Sequence, residues 1–152
     1  MPPIRSIQIR GTKQPAGHYS QGIVHDGLVY VSGQLPMDLA TGTIVPGSVE
    51  AQTELALDNV RRVLETGGSG LDRVIQVTVY VSSMDSWPAV NATYARIMGT
   101  HRPARAIVPS PGLHYDVALE IQAIGSVRPK RRPARATKRA PRARAVRRRR
   151  AA

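Results

Sequence analysis

All ten acidic residues lie before residue 128, whereas the last twenty-five residues carry thirteen of the twenty-two lysines and arginines and no acid. This break limits what can fold. The formal net charge of +12 averages a body of residues 1–127, with a net charge of −1, and a strongly basic tail of residues 128–152. The tail is nearly all Arg, Lys, Ala and Pro, without apolar periodicity. It has no apolar surface to offset the entropy of ordering and is expected to be disordered. The folding unit is therefore one domain, residues 1–127.

Composition narrows the class of that domain. No apolar run approaches the roughly eighteen residues of a membrane-spanning helix. The first residues, MPPIRSIQIRGTK, contain no continuous apolar stretch of the secretory kind, so a cytoplasmic protein is expected. The absence of cysteine excludes disulfides, thiolate metal sites and a cysteine nucleophile. The four histidines, His18, His25, His101 and His114, have no metal-ligand spacing, and no metal site is expected. Gly67-Gly68-Ser69-Gly70 lacks the Lys-Ser/Thr ending of a phosphate-binding loop and reads as a helix stop. Trp87, a lone aromatic, reads as a core or interface residue rather than a stacking platform.

Along the chain, Ile23-Val24 and Leu28–Ser32 flank His25-Asp26-Gly27, a hairpin signal because Asp-Gly suits turns that need positive φ. A short extended piece follows at residues 43–45. Ser48 can cap a helix running to about Thr66, with Glu50 in its first turn and Leu57, Val60 and Leu64 on one face. Residues 73–82 alternate, Val77, Val79 and Val81 against Gln76, Thr78 and Tyr80, which is a strand with one buried face. Asp85 or Ser86 starts a second helix with Val90, Tyr94, Ile97 and Met98 as its stripe, ended by Gly99. Strands follow at residues 105–108 and 117–124, the first limited by Pro109 and Pro111. The order β-β-(β)-α-β-α-β-β is an α+β fold whose two helices cover one face of a sheet. The other face, with Thr78, Tyr80, Ala118 and Ile124, is half apolar, which predicts packing against a second copy.

Two charges stand out. Arg105 follows Pro103-Ala104, and Glu120 lies inside the apolar run Val117–Ile121. An unpaired charge in a core strand is costly, so the pair calls for a ligand or a partner.

These segments resemble the reactive-intermediate deaminase (RidA, or YjgF) family over roughly residues 15–127. They occur in the family's order: Tyr19-Ser20-Gln21, Val31-Ser32-Gly33-Gln34 with Pro36, Gln52 and Asn59, Val90–Tyr94, Pro103-Ala104-Arg105 and Leu119-Glu120-Ile121. The resemblance implies a chorismate-mutase-like α+β fold assembled as a homotrimer, with ligand clefts between subunits. It implies hydrolysis of 2-imino acids, or enamines such as 2-aminoacrylate, to 2-keto acids and ammonia. In that reading Arg105 holds the substrate carboxylate with its planar fork of donors. Glu120 activates water and returns a proton to the departing nitrogen. Tyr19, Ser32, Gly33 and Asn91 line or support the cleft, and backbone groups of Ala106 and Ile107 lie beside the ligand. No metal or organic cofactor is implied. The chain departs from the family pattern at Ile107, where several members have cysteine. It also departs at Leu113-His114-Tyr115, which lacks the usual proline, and in a shortened loop at residues 98–102.

The tail adds a second reading. Thirteen cations without an acid suit electrostatic binding of RNA, DNA or another polyanion by counterion release, and three tails on a trimer would reinforce one another. The chain would then be a nucleic-acid-binding protein, ribonuclease-like or a translation inhibitor, on the same fold. A non-catalytic sensor of small 2-keto acids is a third reading.

Overall fold

In the computed structural model, which describes residues 3–128, the alternation of residues 73–82 becomes a strand inside the sheet, next to its edge. Valines 77, 79 and 81 are buried, while Thr78 and Tyr80 are half exposed on the opposite face. The strands are β1 (Arg5–Ile7), β2 (Gly22–His25), β3 (Leu28–Gln34), β4 (Met37–Asp38), β5 (Thr43–Ile44), β6 (Val74–Val81), β7 (Ala104–Pro109) and β8 (Leu119–Ser126). The helices are α1 (Val49–Thr66) and α2 (Trp87–Met98). Six strands form one sheet in the order β1-β2-β3-β8-β6-β7, and β4 pairs with β5 alone. Only β6 and β7 run parallel, because α2 carries the chain back between them. The tail expected to be disordered lies, from residue 129 onward, outside the described residues. No helix among the described residues is long and apolar enough to cross a membrane.

Local chemistry fixes the ends of the elements. The Ser48 Oγ accepts a hydrogen bond from the Ala51 N–H and caps α1. Gly68, at φ 89°, turns the chain out of the helix. Asp26 and Gly27 both have positive φ, 47° and 75°, as a two-residue hairpin turn requires. The second helix starts at Trp87, later than the sequence suggests. Ser83 caps a short 3₁₀ turn, Met84–Ser86, that precedes it, and Ser86 makes no capping bond.

Both helices lie on one face of the sheet. Leu57, Val60, Val63 and Leu64 of α1 and Val90 of α2 pack against Val29, Val79, Val81, Leu119 and Ile121, all almost wholly buried. Two polar residues of α1 tie this layer to loops. Asn59, fully buried, donates to the carbonyls of Leu35 (3.0 Å) and Met37 (2.8 Å). The Gln52 Oε1 accepts from the Ala118 N–H at 2.8 Å. Ala118 therefore sits just ahead of β8 and packs on the core instead of joining the open face. Trp87 is exposed at the start of α2 and not in the core.

The open face carries Tyr80 and, around a shallow depression of about 210 Å³, Tyr30, Gln76, Thr78, Gln122 and Ile124. Tyr30 and, at the irregularity after Val74, Ile75 are exposed apolar groups.

Candidate functional site

The candidate residues form two groups. The first lies where β3 and β8 lose register. Val31 opposes Ala123 and Gln34 opposes Ile121, so β3 carries one extra residue in this stretch. At this bulge, Gly33 leaves room for the Glu120 carboxylate. A Cβ on Gly33 would stand 1.7 Å from the Glu120 Oε1. Ile121 is buried on the helix side, so Glu120 is presented on the open face, half buried. Ser32 spends its hydroxyl on the Ser20 carbonyl (2.7 Å) and holds the loop that carries Tyr19. Tyr19 is exposed and lines a cavity together with Gly33.

The second group lies at β7, the sheet edge, under α2. Arg105 pairs with Val77 and therefore points to the helix side. Its Nη2 donates to the Asn91 Oδ1 at 2.8 Å, and its guanidinium lies 4.4 Å from the centre of the Tyr94 ring. Asn91 and Tyr94 are three residues apart on α2 and so face the same side. One N–H of five is used, and the others remain available to a planar anion. Burial pushes the Tyr94 phenol above its ordinary value, with Arg105 opposing, and its hydroxyl has no partner among the described residues. The ring serves Arg105 through its π face. Sequence periodicity places Tyr94 in the apolar stripe; its three-residue spacing from Asn91 and its place with Asn91 in the Val90–Tyr94 segment are the signals of a shared task. Ile107 packs on the core beside Val79, whereas Ala106 is exposed on the open face opposite Thr78.

The chain does not bring these groups together. Glu120 pairs with Tyr80, which pairs with Val108, so Glu120 and Arg105 are two strands and three residues apart. That separation is on the order of 14 Å between Cα atoms, with the side chains on opposite faces. Among the described residues neither enters an ion pair. The pairs present are Arg61 with Asp58 and Glu65, Arg96 with Glu54, and Arg128 with Asp72. One chain thus offers an unpaired, half-buried cation at one place and an unpaired, half-buried carboxylate at another.

The family described as Endoribonuclease L-PSP matches residues 11–127. The chain belongs to this family, also known as RidA/YjgF. The chain is 40% identical over 111 residues to the RutC family protein PH0854 of Pyrococcus horikoshii, covering 73% of this chain and 88% of that protein. It is 36% identical over 118 residues to the 2-iminobutanoate/2-iminopropanoate deaminase of the goat, covering 76% and 86%. The fold superposes on the crystal structure of E. coli TdcF with bound serine at a TM-score of 0.73 and 30% identity, covering 80% of this chain and 98% of that one. The architecture is thus the chorismate-mutase-like fold of the family, and the family includes deaminases of 2-imino acids.

Proposed function

We propose that the chain is a hydrolytic deaminase of 2-imino acids whose site is completed between copies in a homotrimer. The observation that carries this reading is the pair of opposite charges, Arg105 and Glu120, each half buried, without an ionic partner among the described residues, on opposite faces of the sheet. A neighbouring copy docked on the half-apolar open face would set one chain's Arg105 group against another's Glu120 group. The goat relative's name and the serine bound to TdcF favour an amino-acid-like substrate, an amine- or imine-bearing carboxylate.

In this mechanism Arg105, steadied by Asn91 and Tyr94, takes the substrate carboxylate with its free donors. The Glu120 carboxylate takes a proton from water, and the water oxygen bonds to the imine carbon. The C=N π electrons go to nitrogen, which takes that proton to give a carbinolamine. The carbinolamine hydroxyl then yields its proton, passed through Glu120 to nitrogen, as C=O forms and the C–N bond breaks, and ammonia and a 2-keto acid leave. Water supplies the oxygen and the hydrogens, so no oxidant or reductant enters.

The test uses 2-aminoacrylate and 2-iminobutanoate formed in place by a threonine dehydratase. Wild type should speed keto-acid release, and Arg105→Ala and Glu120→Gln should not. Co-assembling the two variants should restore roughly a quarter of the sites, those pairing an intact Arg105 with an intact Glu120 from another chain. A co-assembly as inactive as its parents would refute a shared site. Tight ligand binding without turnover on any imino acid would make the protein a sensor.

The charge of residues 128–152 favours a second, separable activity, nonspecific binding of nucleic acid. Deleting these residues should abolish a salt-dependent affinity for RNA or DNA and leave deaminase turnover intact.

A further inference from the structure

Beside the Glu120 half-site lies a cavity of about 330 Å³. Leu39, buried, and Leu35 and Met37, half buried, give its apolar lining, with Tyr19, His114 and Tyr115 around them. We propose that this cavity receives the substrate's side chain, and that the preferred substrate is a 2-imino acid with a bulky apolar or aromatic side chain. The inference rests on the deaminase reading and specifies its substrate class.

Three observations carry it. Gly33 both lines the cavity and backs the Glu120 carboxylate, so an imine carbon within reach of Glu120 has its substituent at the cavity mouth. The volume falls within the roughly 300–1,000 Å³ of small-molecule pockets, and a methyl or ethyl substituent would leave most of it to water. The lining carries one cation, Lys13, and the amides of Gln14, Gln21 and Gln34, with no acid among the described residues; its apolar part is completed by two tyrosines, 58% and 55% exposed, large rings with open faces for an apolar group. The loop presents this wall at a cost. Tyr115 and Asp116 hold φ of 62° and 53°, a conformation disfavoured in residues other than glycine, and the His114 and Tyr115 ring centroids are 3.8 Å apart.

The experiment compares kcat/KM for imino acids formed in place by an amino-acid oxidase from phenylalanine, leucine, alanine and 2-aminobutyrate. The phenylalanine- and leucine-derived imines should exceed the alanine-derived one by about tenfold or more. Tyr115→Gly removes the ring and relaxes the positive φ, so it should fold, and it should bring this ratio toward one. A wild-type ratio at or below one, with the small imines still hydrolysed, would overturn the substrate class and leave the deaminase reading standing. No hydrolysis of any imine would overturn both. A ratio unchanged in Tyr115→Gly would overturn the assignment of the cavity wall.

Discussion

Adding one methyl group at Gly33 should disable the Glu120 half-site while sparing the fold. The new Cβ would sit 1.7 Å from the Glu120 Oε1, 2.7 Å from its Cδ and 3.1 Å from its Cγ. Gly33 is not among the glycines with positive φ, so alanine fits the backbone. The collision is with the end of a flexible side chain, which must retreat by roughly 1.7 Å or more to reach ordinary contact. Leaving its rotamer costs about 0.5–1.5 kcal/mol, a shift of a few degrees in thermal midpoint. Misplacing a reacting group by about 1 Å can cost on the order of a hundredfold in rate. Gly33→Ala should therefore lose about two orders of magnitude in kcat for 2-iminobutanoate in the dehydratase-coupled assay and melt almost as wild type does. Combined with Glu120→Gln it should lose nothing further, because both changes remove the same group. Turnover by Gly33→Ala within about threefold of wild type would mean that the carboxylate's position against Gly33 does not matter to the chemistry.

Two further outcomes follow from α2 and α1. Tyr94→Phe keeps the ring under Arg105 and should leave KM unchanged, whereas Tyr94→Leu removes a cation–π contact of about 0.5–2 kcal/mol and should raise KM roughly two- to thirtyfold. Equal KM values for the two variants would dismiss that contact. Asn59→Leu leaves the Leu35 and Met37 carbonyls without their donor and should lower stability by about 2–4 kcal/mol in denaturant unfolding; a loss under about 0.5 kcal/mol would mean that water replaces the amide.

Both helices and the strands of the sheet's centre could be read from the chain because each buries one face, and that burial imposes a period of its own. Leu57, Val60 and Leu64 marked α1, and Val77, Val79 and Val81 marked β6. The Asp26-Gly27 turn was legible for a different reason, its backbone chemistry. The strand β1 was not, since three residues with only Ile7 buried carry no period, and β4 is shorter still; β5, two residues long, was read only as an extended piece at residues 43–45. Nor does the order of strands along the chain reveal that β8 inserts between β3 and β6. That arrangement comes from pairing between distant segments, which local pattern does not encode. The same limit applies to the site. Arg105 and Glu120 could be singled out as charges in apolar surroundings, but their separation onto opposite faces depends on the register of β7 against β6 and of β6 against β8. Gln52 and Asn59, picked out by resemblance alone, turn out to anchor Ala118 and the Leu35–Met37 loop, the two segments that bracket Glu120 and Gly33.

In the proposed shared site, the back-to-back placement of Arg105 and Glu120 would link catalysis to mass action. A solitary chain would own both reactive groups and yet contain no working centre, so specific activity would follow the population of assembled protein. Dilution below the dissociation constant would silence the protein without unfolding a single chain. Substrate bridging the two halves would, by the same linkage, draw chains together.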